Sequence, residues 1–258
     1  ISSKTMEEAW KLLADSVLDC PTDQQGVSEA VVCARPSLNV KSVSEWSTCR
    51  IYHDPAMVRQ AAAAMLKEKE NLAGDPDYRH DVVDVVRQAL TDSSYFLLER
   101  IAEYHEKGDR KGFRESYEAF LEMIADMDRL LSSTELFSLQ RWISSARGVC
   151  DEAEGTTEED RDWMEWNART LISTWGPEGA AEKGHLHDYS NRQWGGMLKS
   201  FYLPRWEMFF KALENGEPVP ESSEWFRIEE SWTRSTDIPE AGIGNPADIA
   251  EELYAKYF

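Results

Sequence analysis

The sequence predicts an all-α protein that forms a single domain of antiparallel helices, packed as in a helical bundle. Apolar residues recur at helical spacing through most of the chain, and capping residues, glycine or proline mark most of the expected helix ends. No convincing strand-like alternation, internal repeat or low-complexity tract interrupts this pattern. The exception is a long irregular segment near the N-terminus, residues 19–53. Pro21, Gly26 and Pro36 interrupt regular structure there.

Four helices are expected in the first half of the chain. Thr5 followed by Glu8 has the spacing of a capping box, so the first helix is expected to begin at Thr5. Asp54 and Pro55 combine a cap with a proline at the first helical position, which opens an alanine-rich helix. A turn at residues 74–77 and Gly108 separate the helices that follow. After the first helix, the expected ranges are 54–72, 78–107 and 113–131.

In the second half of the chain, a loop at residues 176–187 separates two of the predicted helices. The serine and threonine residues at 132–134 are a natural capping sequence, and Thr156 with Glu159 has the spacing of a capping box. Asp188 is expected to cap the helix that follows the loop. The expected helical ranges are 135–152, 156–175, 188–213 with an interruption at Pro204, 225–233, and a terminal helix opened by Asn245-Pro246 after a linker at 239–244.

The charge of the chain limits its partners. The chain has 48 acidic and 28 basic side chains, a net charge of −20 and a pI near 4.7. Such a surface repels phosphate backbones and anionic lipid, so neither nucleic acid nor a membrane is expected as a partner. No apolar run approaches the length that spans a bilayer. Because the sequence begins with Ile1 and has no signal peptide, we expect it to be a piece of a longer polypeptide.

The sequence predicts neither a metal site nor a cofactor. Its four cysteines, Cys20, Cys33, Cys49 and Cys150, include no CxxC pair. Cys49 and His53 are four residues apart, but no second pair completes a metal site. Small buried side chains are the favoured interpretation. A disulfide between Cys20 and Cys33 remains open if the protein is exported.

Two further groups of titratable residues have structural interpretations. Asp81 and Asp84 could bind a cation together, but Asp84 is also placed for an i,i+3 ion pair with Arg87, which we favour. His185 and His187 have a spacing that suits neither zinc binding on a helix nor a known catalytic triad. We expect both to be exposed loop histidines.

Residues 163–210 contain a helix-loop-helix junction rich in aromatic and acidic side chains. Trp175 ends the first helix, Glu178 lies in the loop, and Asp188 with Tyr189 begins the second helix. Aromatic rings beside carboxylates suit carbohydrate binding, because a sugar ring has an apolar face and a rim of hydroxyl groups. Glu178 and Asp188 could also be the two carboxyl groups of a glycoside hydrolase. We favour a helix cap for Asp188 and a solvated loop position for Glu178.

Five separated motifs resemble the C-terminal helical domain of the α-N-acetylglucosaminidases, glycoside hydrolase family 89. They occur in the order of that family, from about residue 7 to the end of the chain. The motifs are Ala9-Trp10-Lys11-Leu12-Leu13, Arg35-Pro36-Ser37-Leu38, Arg79-His80-Asp81-Val82-Val83-Asp84 with residues 85–88, Asn167-Ala168-Arg169, and Trp175-Gly176-Pro177 with residues 187–194.

The resemblance implies a fold, an activity and a place in a larger enzyme. Residues 1–258 would form the C-terminal all-α domain of an exported protein, whether periplasmic, extracellular or lysosomal. The enzyme would be a retaining hydrolase that removes terminal α-linked N-acetylglucosamine. Both catalytic glutamates would lie in a (β/α)8 barrel of the same polypeptide, outside this chain. No residue of this chain would then be catalytic. The helical domain would close one side of the sugar pocket with Trp175, Leu186 and Tyr189.

Two other functions stay open at this point. A free-standing helical module could bind a glycan or a protein without catalysis. A self-sufficient helical glycosidase could use Glu178 and Asp188. The domain implied by the resemblance should expose several of its ten tryptophans where the barrel docks, because the buried core of an interface is enriched in aromatic residues.

Overall fold

The computed structural model of the chain describes residues 3–21 and 28–258. These residues form helices and no strand, and isolated bridges pair Ser28 with Thr48 and Ser138 with Gly195. The predicted all-α class is confirmed. Within its described part, the N-terminal segment is irregular apart from one 3-10 turn, as predicted, whereas the predicted break at Gly26 lies outside the described residues.

Ten α-helices, labelled α1 to α10, run through the described residues. They are α1 Lys4–Leu13, α2 Pro55–Leu66, α3 Lys69–Leu72, α4 Pro76–Glu106, α5 Arg110–Ser132, α6 Leu139–Gly148, α7 Glu158–Leu171, α8 Leu203–Asn215, α9 Ser222–Thr233 and α10 Pro246–Tyr257. Short 3-10 helices lie at Val31–Cys33 and Val149–Glu152, and π turns lie at Ala14–Leu18, Gly179–Lys183 and Leu198–Tyr202.

Aspartate or asparagine followed by proline begins three of these helices. Asp54 accepts the N–H of Ala56 at 2.8 Å and begins α2 as predicted. Asp75 caps α4 in the same way, so this helix begins at Pro76 rather than at residue 78. Asn245 caps α10 as predicted. Proline fits the first helical position because its missing N–H would have no intrahelical partner there.

Three other predicted caps are wrong. Ser3, rather than Thr5, caps α1 and accepts the N–H of Met6 at 3.0 Å. Helix α5 continues to Ser132, which was expected to lie in the cap between the two helices. Helix α6 therefore begins later than predicted, and Ser138 caps it. The capping box of α7 is Thr157 with Asp160, since the hydroxyl of Thr156 donates instead to the Cys150 carbonyl at 2.7 Å.

The helix predicted to begin at Asp188 does not form there. Residues 189–196 are irregular, and helical backbone begins at the π turn Leu198–Tyr202. Its cap is Asp128 of α5, whose carboxylate accepts the N–H groups of Gly196 at 2.8 Å and Lys199 at 2.9 Å. Pro204 lies in the first turn of α8, which continues directly from the π turn. A distant residue therefore performs the capping that the sequence assigned to Asp188.

The core lies around α4, which packs against α2, α5 and α10, while α8 packs against α5. Trp206 of α8 is fully buried. Its ring stacks on Phe210 at 5.4 Å and meets the edge of Phe120 at 4.9 Å. Its Nε1–H donates to the Val32 carbonyl at 3.0 Å. This aromatic centre thus joins α5, α8 and the N-terminal segment.

We expect Trp206→Ala to lower the free energy of unfolding of this chain by about 3–5 kcal/mol, because it removes a fully enclosed ring and leaves a cavity. The control is Trp163→Ala, since Trp163 is 58% exposed and surface substitutions change stability by about 0.5 kcal/mol or less. Urea denaturation followed by circular dichroism measures both. Equal losses in the two variants, or several separate transitions, would contradict a single cooperative core.

Candidate functional site

The predicted helix-loop-helix junction is a tight corner after α7. Beyond the end of this helix, the N–H of Trp175 donates to the Thr170 carbonyl at 2.7 Å. The N–H of Asp188 donates to the Ser173 carbonyl, also at 2.7 Å. The two ends of the intervening loop therefore lie side by side.

Trp175 and Tyr189 are in contact at this corner. Their ring centroids are 5.0 Å apart and their planes are inclined by 73°, which is a preferred edge-to-face arrangement for aromatic rings. Trp175 is half-buried, whereas Tyr189 is 44% exposed. Two of the three residues predicted to bind sugar thus form one aromatic pair that reaches the surface.

Leu186, the third predicted residue, lies one turn before Tyr189. The N–H of Tyr189 donates to the Leu186 carbonyl at 3.2 Å, and the N–H of Leu186 is shared by the carbonyls of Ala180 and Ala181 at 3.3 and 3.1 Å. The Leu186 residue is half-buried. The π turn Gly179–Lys183 therefore fixes the backbone that leads into the aromatic pair.

Backbone strain is concentrated in this loop. Across the described ranges, the non-glycine residues with positive φ are Trp175 at 63°, His185 at 54° and Asp188 at 52°. An L-residue in this conformation costs on the order of 1–2 kcal/mol. Such strain persists only where surrounding contacts impose it, and it is often found at ligand sites.

The two loop histidines differ in their surroundings. His185 is exposed as predicted, with its Nδ1 3.5 Å from a carboxylate oxygen of Glu45. The prediction is wrong for His187, which is half-buried with its Nδ1 3.1 Å from the Ala181 carbonyl. Because a carbonyl oxygen only accepts, Nδ1 is the donor in this contact. The π turn brings that carbonyl to the ring, which the sequence spacing did not indicate.

Asp188 is enclosed in the protein interior. Its carboxylate lies 2.9 Å from Nη1 of Arg205, and both side chains are almost completely buried. Glu178, in contrast, is exposed. The hypothesis that these two carboxyl groups act as an acid/base pair loses its basis, because the Asp188 carboxylate faces an internal guanidinium rather than a substrate.

Asp188 begins a series of alternating charges, called here the ion-pair chain: Asp188, Arg205, Glu229, Arg35 and Glu182. Arg205 Nη1 also contacts Glu229 at 2.5 Å. Arg35 binds both oxygens of Glu229 at 2.9 and 2.6 Å, and both oxygens of Glu182 at 2.9 and 2.6 Å. Every carboxylate in the ion-pair chain therefore has a guanidinium partner.

The pKa values of the carboxyl groups reflect this sharing. Burial alone would raise the pKa of Glu229, but Arg205 and Arg35 outweigh it and lower that pKa. Burial likewise opposes Arg35 at Glu182, and the hydrogen bonds from Arg35 lower the pKa of Glu182. Asp188 has only a share of one guanidinium, so burial raises its pKa. The arginines therefore favour the ionised forms of Glu229 and Glu182, whereas burial opposes ionisation of Asp188.

The sequence alone does not indicate most of this network. Arg35 stands out only within a motif of the resemblance, and no role is predicted for Arg205, Glu229 or Glu182. One local signal was present, because Arg205 follows an aromatic-rich run, and a charged residue among apolar ones indicates a buried, paired charge. Its partner could not be deduced, since Arg35 and Glu229 are 194 residues apart and no spacing rule connects them.

Tyr189 also lies on the wall of a cleft of about 860 Å³ between the N-terminal segment, α4 and residues 189–194. Aromatic residues on the wall of the cleft include Trp46, Tyr52, Phe137 and Trp194. Thr91 donates to Gln193 at 2.8 Å and Asn191 donates to Glu29 at 3.1 Å. These bonds attach residues 191–193, just after the corner, to both sides of the cleft.

Among residues 3–21 and 28–258, no group of three or more His, Cys, Asp or Glu side chains could hold a metal ion. The four cysteines are unbonded, so the Cys20–Cys33 disulfide that the sequence left open does not form. The ion pair of Asp84 with Arg87 is present at 2.7 Å, as predicted. No described helix combines the length and apolar character needed to cross a membrane.

These features define a helical domain that presents an aromatic pair on a strained, internally anchored loop. The chain belongs to the family of alpha-N-acetylglucosaminidase (NAGLU) C-terminal domains, whose model matches residues 2–256. Human alpha-N-acetylglucosaminidase is 28% identical over 260 residues, which cover 97% of this chain and 33% of that protein.

Solved structures of a family 89 glycoside hydrolase from Clostridium perfringens also match. The complex with PUGNAc has a TM-score of 0.92 and 30% identity, covering 99% of this chain and 30% of that one. A complex with its substrate GlcNAc-α-1,4-galactose has a TM-score of 0.91 and 29% identity, covering 98% of this chain and 30% of that one. The chain thus spans about a third of the length of the relatives it matches.

We expect Arg205→Met to destabilise this chain by about 3–5 kcal/mol at pH 7, because it leaves the buried Asp188 carboxylate without a guanidinium and Glu229 with Arg35 alone. The loss should shrink as the pH falls from 7 to 5. Removing Arg205 raises the folded-state pKa of Asp188 further and raises that of Glu229, which Arg205 lowers in the parent. A carboxyl group with a raised pKa gains stability on protonation. Urea denaturation at the two pH values measures this.

The control for Arg205→Met is Arg234→Met, which removes an exposed i,i+4 pair with Glu230. Its effect should be about 0.5 kcal/mol or less. Similar losses in the two variants, or a loss for Arg205→Met that grows on acidification, would show that the buried pairing does not stabilise the fold.

Proposed function

We propose that residues 1–258 are the C-terminal helical domain of an exported glycoside hydrolase that removes terminal α-linked N-acetylglucosamine. In this proposal a catalytic barrel of the same polypeptide holds the reacting glutamates, and the helical domain closes one side of the sugar pocket. Membership of the C-terminal domain family and the share of the relatives that the chain spans support this assignment.

The observation that carries the proposal is the contact between Trp175 and Tyr189. The exposed Tyr189 ring offers an apolar surface and a hydroxyl group, and its edge-to-face contact with Trp175 orients it. A sugar ring requires this combination of an apolar platform and a hydrogen-bonding group. Leu186, one turn earlier, would add an aliphatic contact. No nucleophile or acid is needed from this chain.

The cleft beside Tyr189 provides a surface for the barrel. Trp46, 61% exposed, lies on its wall together with Val17 and Leu18, which are also exposed. An apolar surface of this kind is typical of the core of an interface. Trp10 and Trp163 are exposed as well but do not line this cleft. In the proposal, the docking face therefore contains Trp46 but neither Trp10 nor Trp163.

Replacing Trp175 or Tyr189 by Ala in the full-length protein should reduce kcat/KM for an aryl α-N-acetylglucosaminide by about five- to two-hundredfold. Lost aromatic contact with the sugar costs on the order of 1–3 kcal/mol of transition-state binding. The melting temperature should fall less than for Trp206→Ala, because the aromatic pair is only partly enclosed. Trp163→Ala is the matched control and should leave kcat/KM unchanged. Unchanged kcat/KM with a large drop in melting temperature would make Trp175 a packing residue only.

The isolated chain should bind sugar weakly at most and should not hydrolyse an aryl α-N-acetylglucosaminide. Glu178 is exposed and Asp188 is paired internally with Arg205, so the two do not form a catalytic pair. Product release from the purified chain measures this. Turnover that disappears in Glu178→Gln would overturn the proposal and restore a self-sufficient helical glycosidase. Tight glycan binding without turnover would favour a free-standing binding module.

A further inference from the structure

We propose that Glu182 and Arg35 are positioning residues for the aromatic pair, and that the ion-pair chain sets the geometry of the sugar pocket from inside the domain. This inference rests on the proposed function. Neither residue is among those that line the cleft. Each acts through the backbone of the loop that joins Trp175 to Tyr189.

The loop contains strained backbone that only surrounding contacts can maintain. Trp175, His185 and Asp188 have left-handed backbone angles that disfavour L-residues. A free loop would relax them, and Trp175 and Asp188 lie at or next to the ring contact. The 5.0 Å contact between the rings therefore depends on restraints on the loop, both from its own hydrogen bonds and from the rest of the domain.

The ion-pair chain supplies two restraints on the loop. Asp188, at the end of the loop, is bound by Arg205, and Glu182, in the π turn, is bound by Arg35. Both arginines bind the same carboxylate, that of Glu229 on α9. The loop is thus fixed at two points to one buried group, and the guanidinium forks define direction as well as distance.

The two anchors of the loop differ in how much the core depends on them. Loss of the Asp188 carboxylate would leave Arg205 with a single carboxylate partner in the core, which is destabilising. Glu182 lies at the other end, where its side chain is 14% exposed. Removing its charge leaves Arg35 paired with Glu229. Glu182→Gln therefore weakens the restraint on the π turn while the core stays paired.

The test uses the full-length protein and compares Glu182→Gln with Glu178→Gln, an exposed carboxylate in the same loop. We expect Glu182→Gln to reduce kcat/KM for an aryl α-N-acetylglucosaminide by about three- to thirtyfold, because small misplacements of pocket groups are costly. Its melting temperature should stay within about 4 °C of the parent. Glu178→Gln should match the parent in both. Arg35→Lys should also lose activity, since an ammonium cannot bridge two carboxylates with a fork.

A double variant provides the readout that a purely structural role would not change. If Glu182 acts through the aromatic pair, Trp175→Ala with Glu182→Gln should lose no more kcat/KM than Trp175→Ala alone. The proposal is wrong if the kcat/KM losses of the two single variants multiply in the double variant. It is also wrong if Glu182→Gln keeps full kcat/KM while Trp175→Ala loses activity. Full activity of Trp175→Ala itself would instead refute the proposed function. If Glu182→Gln does not fold, Glu182→Asp replaces it, with the same signs and smaller effects.

Discussion

The carboxylate of Glu229 is the point on which the arrangement of this end of the molecule depends. It lies between Arg205 and Arg35, and each guanidinium then reaches one further carboxylate in the loop after α7. Arg205 also donates to the Cys33 carbonyl at 3.0 Å. Helices α8 and α9, the N-terminal segment and the loop are therefore joined through one buried group. Because an enclosed charge that loses its partner is costly, these four segments cannot move independently.

Buried ion pairs seldom stabilise a protein more than apolar side chains of similar volume would, so their use here calls for another reason. Apolar contacts are non-directional, whereas a guanidinium fork fixes angles. The loop contains three residues in left-handed conformations, and directional bonds can hold such a backbone in one shape. Tyr189 follows Asp188, whose carboxylate is bound by Arg205, so its ring begins from a restrained backbone position beside Trp175.

The sequence predicts the helical class and several helix starts because those features are local. The cap at Asp54 and the one at Asn245 each involve residues two or three positions away, so their spacing is visible in the sequence. Asp188 shows the limit of such arguments. Its residue type suits a cap, yet Asp128, 68 residues from the N–H of Gly196, performs that role. The ion-pair chain is still less visible, since it joins Arg35 to residues 147 and 194 positions away.

Anchoring from the interior has a consequence for recognition at the surface. A binding loop that must become ordered when it meets a ligand loses affinity to that ordering, and a preformed loop does not. Here Arg205 binds Asp188, the residue before Tyr189, while the Tyr189 residue stays 44% exposed. The polar bonds of Asn191 and Gln193 to the walls of the cleft extend the same support along the chain. In the proposed function, an exposed ring on a restrained backbone is what a neighbouring domain needs if the two surfaces are to enclose a small rigid ligand such as a sugar.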